Sequence, residues 1–234
     1  MRIHFVSFGC KVNLVEIESL REQLLAAGHV ETAEGEEPDV CIINTCSVTS
    51  NAESKVRKAV RTLNLKWPDC DIYLLGSYVE NNESETFNLP GVRKVFANAS
   101  KNNLLEELGV SIPENHWSPV STSGIHSRAF VKIQDGCCNS CSYCIVTQLR
   151  GVPQSRSIKE IISEIGFLCQ RQVPEIVLSG INLASWGIDI GSKFSVLLSQ
   201  IARARPSARI RLSSIEMQFL TDEVLDIMAS EPRL

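Results

Sequence analysis

The sequence predicts an α/β protein in two parts, and three observations carry that reading. Short apolar runs, some continuous as in parallel strands buried on both faces, alternate with stretches whose apolar residues recur at helical spacing. Residues 111–128 interrupt the alternation with Pro113, Pro119, Ser121, Ser123 and Gly124, the composition of a linker. On either side the repeat holds. Residues 1–110 read as a doubly wound parallel sheet, and residues 129–234 as the start of a second strand–helix series.

In the first part, residues 2–8 form a strand-like run that ends at Gly9-Cys10. Leu14, Ile17, Leu20 and Leu24 mark a helix over 13–27, with Gly28 as its stop. The run Val40-Cys41-Ile42-Ile43 is a strand ending at Thr45-Cys46-Ser47, and a helix over 51–65 follows, carrying Lys55, Arg57, Lys58 and Arg61. A strand over 71–75 ends at Gly76-Ser77-Tyr78, and a short strand (92–96) and helix (101–108) close the part. In the second part a strand over 129–133 enters a cysteine-rich loop, and Leu149-Arg150-Gly151 and a helix over 158–172 follow. A strand over 174–179 ends at Gly180-Ile181-Asn182. A helix over 194–204 leads to a strand over 208–215, which ends at Glu216, and a last helix begins over 220–228.

Composition narrows the function classes. The 234 residues are 44% apolar, ample for buried cores, and the net charge of −4 gives no general attraction to nucleic acid, so any RNA contact must be local. Nine cysteines without a secretory signal point to a reducing compartment and metal chemistry rather than disulfides. No apolar run approaches the roughly 20 residues of a membrane span, and the chain reads as cytoplasmic.

The cysteine loop runs Gln134-Asp135-Gly136-Cys137-Cys138-Asn139-Ser140-Cys141-Ser142-Tyr143-Cys144. Cys137, Cys141 and Cys144 stand in a C-x3-C-x2-C pattern, which can wrap one iron–sulfur cluster and leave one iron of four open to a substrate or cofactor. A structural zinc site wants a fourth ligand, and the nearest histidine, His126, lies well upstream. Zinc with a distant ligand, or plain buried thiols, is the alternative.

This loop, with Tyr143 before its last cysteine, resembles that of the radical S-adenosylmethionine (SAM) enzymes. The longer string from Lys132 to Val146, with Arg150-Gly151 after it, resembles their methylthiotransferase branch. The resemblance implies that residues 129–234 form the first part of a radical SAM (β/α) partial barrel. It implies a 4Fe-4S cluster on Cys137, Cys141 and Cys144 whose open iron chelates the SAM amino and carboxylate groups. Reductive cleavage of SAM would then give a 5′-deoxyadenosyl radical, with electrons from a donor such as flavodoxin or ferredoxin. Tyr143 would lie against the adenine and the Gly180–Asn182 loop would meet the SAM amino group. Arg156, Ser213 and Glu216 are further candidates for the carboxylate and ribose; a solvated charge, a strand residue and a helix cap are their plainer roles.

The family resembles the first part too, where one cysteine from each of three strand ends holds a second, auxiliary 4Fe-4S cluster. Gly9-Cys10-Lys11-Val12-Asn13 and Asn44-Thr45-Cys46-Ser47 match the first two loops, but Gly76-Ser77-Tyr78 stands where the family has Gly-Cys-Tyr. Cys70 cannot substitute, because the intervening strand carries it roughly 20 Å from Ser77 at ~3.3 Å per residue. Cys41 is likewise at the far end of its strand from Cys46. Both, with Cys169, read as small buried hydrophobes. A serine hydroxyl ionises far less readily than a thiol, so the expectation is a weakened auxiliary cluster.

Within the family, Gly9–Asn13 and the string Gly180-Ile181-Asn182-Leu183-Ala184-Ser185-Trp186-Gly187 look most like the branch that adds a methylthio group to C2 of N6-threonylcarbamoyladenosine at position 37 of tRNA. The rivals are the isopentenyladenosine tRNA enzyme, the enzyme that methylthiolates an aspartate of a ribosomal protein, and an inactive iron–sulfur fragment. The basic helix could touch tRNA phosphates, although a solvated face is the simpler account of it. Only three barrel strands are legible before Leu234, so a truncated sequence is expected.

Overall fold

The computed structural model describes residues 1–111 and 128–234, so the expected linker lies almost wholly outside the described residues. The chain divides within that stretch into two compact units.

The first unit runs β1 (Arg2–Ser7), α1 (Lys11–Ala26), β2 (Val30–Glu31), β3 (Val40–Thr45), α2 (Ser50–Lys66) and β4 (Asp71–Gly76). It continues with α3 (Ser77–Asn81), α4 (Glu83–Phe87), β5 (Val92–Phe96) and α5 (Asn103–Glu107). Its sheet has the order β2-β1-β3-β4-β5 with every pair parallel. The order reverses between β1 and β3, the switch point at which doubly wound folds open a crevice beyond their strand ends. Strand alternation sends Ile42, Tyr73 and Leu75 to one face, against Ile17, Leu20 and Leu24 of α1 and Leu104 and Leu105 of α5. Cys41, Ile43, Ile72 and Leu74 go to the other, against Val56, Val60 and Trp67. Thus β3 and β4 are buried on both sides, which explains their unbroken apolar runs.

Local chemistry sets the element ends. Thr49 caps α2, its Oγ1 accepting from Ala52 N at 3.1 Å. Gly28 takes φ +93° just past α1, as a helix stop requires. Two short elements, β2 and α4, have no periodic signal in the sequence. Ser77, expected in a loop, is instead the first residue of α3, because Gly76 turns the chain there with φ +104°.

The second unit runs β6 (Ala129–Lys132), β7 (Gln134–Asp135), α6 (Val146–Arg150), β8 (Gln154–Ser155), α7 (Ile158–Gln170) and β9 (Glu175–Ser179). It ends with α8 (Phe194–Ala204), β10 (Arg209–Leu212) and α9 (Asp222–Ser230). Strands β6, β9 and β10 pair in parallel in sequence order, as neighbouring strands of a (β/α) barrel do. One core joins them to the helices: Val131, Ile133, Ile176, Leu178 and Ile210 meet Ile161, Ile165 and Leu168 of α7 and Leu197, Leu198 and Ile201 of α8. A capping box starts α7, where Ser157 Oγ accepts from Glu160 N and the Glu160 carboxylate accepts from Ser157 N. Strand β10 stops at Leu212, short of the expected Ile215, because a turn closes there with Ile215 N on Ser213 O at 2.9 Å. Among the described residues no helix is long and apolar enough to cross a membrane.

Leu74 is fully buried in the middle of β4. Leu74→Ala is expected to cost about 2–5 kcal/mol through the cavity it leaves, read as a lower urea midpoint at unchanged slope in equilibrium denaturation.

Candidate metal and cofactor site

In the second unit three strand ends share a rim, since Lys132 pairs with Ser179 and Leu178 with Leu212. From β6 the chain enters the cysteine loop, from β9 the Gly180–Asn182 loop, and from β10 Ser213 and Ser214. Leu183 N donates to Ser214 O at 3.0 Å, tying the last two together.

The base of the cysteine loop is clamped. Strands β7 and β8 pair antiparallel across it, Gln134 opposite Ser155, and Cys137 N donates to Gly151 O at 3.0 Å. Gly136 has φ +70°, and a Cβ there would meet Val152 O at 2.1 Å, so only glycine fits. The Asp135 carboxylate accepts from Lys132 Nζ at 2.6 Å, from Arg150 Nη1 at 3.0 Å and from Gly136 N at 2.8 Å. The Gln-Asp-Gly and Arg-Gly strings therefore close the loop as a latch. Inside it, Cys137, Cys141 and Cys144 are half-buried free thiols, while Cys138 and Tyr143 are exposed. Asn139 N points at Cys137 Sγ at 3.4 Å, the kind of N–H···S contact that steadies a thiolate. Among the described residues no three His, Cys, Asp or Glu side chains converge on one point as a single metal ion requires. A multi-iron cluster asks instead for thiolates spread around it, which a loop of this spacing offers.

Two buried polar groups on this rim lack hydrogen-bond partners among the described residues: both amide atoms of Asn182, a residue only 4% exposed, and Ser213 Oγ. Such groups cost free energy unless a ligand or water completes them. Soft thiols beside an unsatisfied amide and hydroxyl fit a cluster with a polar organic cofactor. The other sequence candidates sit differently. Gly180 packs against Gln134 too closely for a side chain. Arg156 is buried and ion-paired with Glu164, and its Nη1 also donates to Lys132 O at 3.4 Å. Glu216 is exposed and accepts from Gln218 Nε2 at 2.8 Å. Trp186 is fully buried and donates from Nε1 to Arg156 O at 2.9 Å, so its place in the glycine-bounded string is explained by packing.

In the first unit the three expected strand ends also meet. A Cβ on Gly9 would lie 2.7 Å from Cys46 Cβ, and one on Gly76 would lie 2.5 Å from Thr45 O. Asn13 and Asn44 lace the ends together. Asn13 Nδ2 donates to Asn44 Oδ1 at 3.3 Å and to Thr45 O at 3.0 Å, and Asn44 Nδ2 returns a bond to Asn13 O at 2.8 Å. Cys10 is the residue before α1, its thiol donating to Asn13 Oδ1 at 3.4 Å, and Cys46 is buried. Ser77 is 2% exposed, and its Oγ accepts from Ser47 N at 3.1 Å. Two thiols and a hydroxyl already bonded to the backbone do not match a three-thiolate set. Sequence reading missed the asparagine lacing, although a buried Asn-Thr at the end of an apolar run is its signal.

Asp135→Ala removes a carboxylate that the nearly buried Arg150 guanidinium, 5% exposed, and Lys132 both bind. The expected cost is about 2–3 kcal/mol, seen in denaturant unfolding, together with faster loss of iron to a chelator from the reconstituted protein.

Residues 2–97 match the model of the family described as uncharacterized protein family UPF0004. The chain is 36% identical to a threonylcarbamoyladenosine tRNA methylthiotransferase, MtaB, of Chlamydia pneumoniae, over 94% of this chain and 52% of that protein. With MtaB of Bacillus subtilis the identity is 32%, over 97% of this chain and 54% of the relative. Among solved structures, the radical S-adenosylmethionine methyltransferase TsrM of Kitasatospora setae, bound to cobalamin and a 4Fe-4S cluster, superimposes with a TM-score of 0.67. The identity is 12%, over 98% of this chain and 59% of that one, a likeness of fold. The chain thus spans about half the length of the curated relatives it matches, and along nearly all of its own length it is similar to threonylcarbamoyladenosine tRNA methylthiotransferases.

Proposed function

We propose that the chain belongs to a methylthiotransferase acting on N6-threonylcarbamoyladenosine at position 37 of tRNA, in the cytoplasm, with a flavodoxin- or ferredoxin-like electron donor. The observation that carries the reading is the pairing of a latched three-thiol loop with the unsatisfied Asn182 and Ser213 on the same rim. The printed names of the relatives supply the substrate class. Cys137, Cys141 and Cys144 would hold a 4Fe-4S cluster, which with SAM supplies a carbon radical able to take hydrogen from an unactivated C–H bond. The protein's part is to bind and orient. The Asn182 side-chain carbonyl would accept from the SAM amino group, and the Ser213 hydroxyl would meet a second polar group of SAM. Tyr143, 90% exposed, is free to close over the adenine.

A second reading rests on Ser77. With its hydroxyl bonded to Ser47 N, the first unit offers Cys10 and Cys46 but no third thiolate. On this reading SAM cleavage survives and sulfur transfer does not. The Lys55, Lys58 and Arg61 side chains are exposed on α2, whereas Arg57 is drawn toward Glu53, Glu85 and the Tyr78 hydroxyl, so any phosphate contact would fall to the first three.

Anaerobic reconstitution with iron and sulfide tests both readings. The expected result is one four-iron cluster on the native chain, two on Ser77→Cys, and 5′-deoxyadenosine from SAM and dithionite in each. Loss of that product in Cys137→Ala is expected as well. A colourless chain would overturn the first reading, and two clusters on the native chain would overturn the second.

A further inference from the structure

Gln134 is fully buried, and its side-chain amide has all four hydrogen-bonding positions filled. Its Nε2 donates to Asp135 O at 2.6 Å and to Gly136 O at 2.5 Å, the entry to the cysteine loop. Its Oε1 accepts from Ile181 N at 3.0 Å and from Asn182 N at 3.1 Å, the loop after β9. Two carbonyls on one side and two N–H groups on the other fix which way the amide faces. Gly180 completes the arrangement, because a Cβ there would lie 2.9 Å from Gln134 Oε1 and 3.2 Å from Gln134 O. The two loops that would hold cluster and cofactor are thus joined through one side chain. Asn182, the residue on its far side, has a buried amide with no partner among the described residues.

The thiol loop has other ties besides this bridge. It is closed separately by Asp135 with Lys132 and Arg150, and by Cys137 N on Gly151 O. We infer that Gln134 is a positioning residue for the cofactor: it sets the Asn182 amide relative to the cysteine loop, so that SAM and the cluster meet in register. The inference rests on the proposed SAM-dependent function and adds to it a residue that touches neither SAM nor iron.

The test compares the reconstituted native chain with Gln134→Met, Asn182→Ala and the double variant, reading iron content and SAM affinity by equilibrium binding. Met keeps the length and flexibility of Gln but makes none of its hydrogen bonds. The expected result is native iron content in Gln134→Met with SAM bound roughly ten- to a hundredfold more weakly, as unmatched buried groups would cost. Asn182→Ala should lose a similar factor, and the double variant no more than about twofold beyond either, because both act through one contact. Native SAM affinity in Gln134→Met, or losses that multiply in the double variant, would overturn the inference. So would loss of iron from Gln134→Met, since the bridge would then serve the thiols. If the Met variant does not fold, Gln134→Glu decides. It keeps the acceptor toward Ile181 and Asn182 but sets an oxygen against the carbonyls of Asp135 and Gly136, and it must weaken SAM while iron is retained. A native chain that binds iron but not SAM would defeat the proposed function itself, a result distinguishable from any failure specific to Gln134.

Discussion

Parallel pairing is the constraint on which everything else rests. In a parallel sheet every strand finishes at the same edge, so each strand end delivers the following loop to one rim. In the first unit Ser7 pairs with Asn44 and Thr45 with Gly76, which brings Cys10, Cys46 and Ser77 to one rim beside the reversal of strand order. In the second, Lys132 pairs with Ser179 and Leu178 with Leu212, which gathers the cysteine loop, Asn182 and Ser213. A one-residue slip of β3 would turn Ile42 and Ile43 to the wrong faces, so the cores that bury them also fix where the thiols stand.

The rims then divide into polar groups that are satisfied and polar groups that are not. Gln134, Asn13 with Asn44, Asp135 with Arg150, and Arg156 with Glu164 are paired within the protein, and they hold backbone in place. The Asn182 amide and the Ser213 Oγ are buried and have no hydrogen-bond partner among the described residues. An unmatched buried group costs about 1–3 kcal/mol, and a site that binds a polar cofactor recovers that cost on binding. Ser77 belongs with the first class: its hydroxyl closes the turn after Cys46 by accepting from Ser47 N, which is a structural use of a position where the resembling family has a thiol.

The sequence made much of this legible, for physical reasons that differ by residue. Continuous apolar runs identified β3 and β4 because strands buried on both faces admit no polar alternation, and spacing alone singled out Cys137, Cys141 and Cys144. Glycine marked the loops whose backbones must pass closely, at Gly76, Gly136 and Gly180. The short β2 and α4 were not legible, since two and five residues carry no period. The partners of Gln134 were not legible either, because Ile181 and Asn182 are brought beside it only by the pairing of β6 with β9. Arg156 looked like a solvated or ligand-facing charge, and only the fold shows Glu164 arriving from α7, eight residues on, to pair with it. Cys41 and Cys70, read as buried hydrophobes, are buried on one core face, and their sulfurs lie 3.3 Å apart.

The central claim is that the rim of the second unit is a SAM site completed by Asn182 and Ser213. An anaerobic crystal structure of the reconstituted chain with SAM tests it most directly. SAM should lie beside the Cys137–Cys144 loop, with the Asn182 amide and the Ser213 hydroxyl both hydrogen-bonded to it. SAM bound elsewhere, or bound with those two side chains still unsatisfied, would contradict the claim.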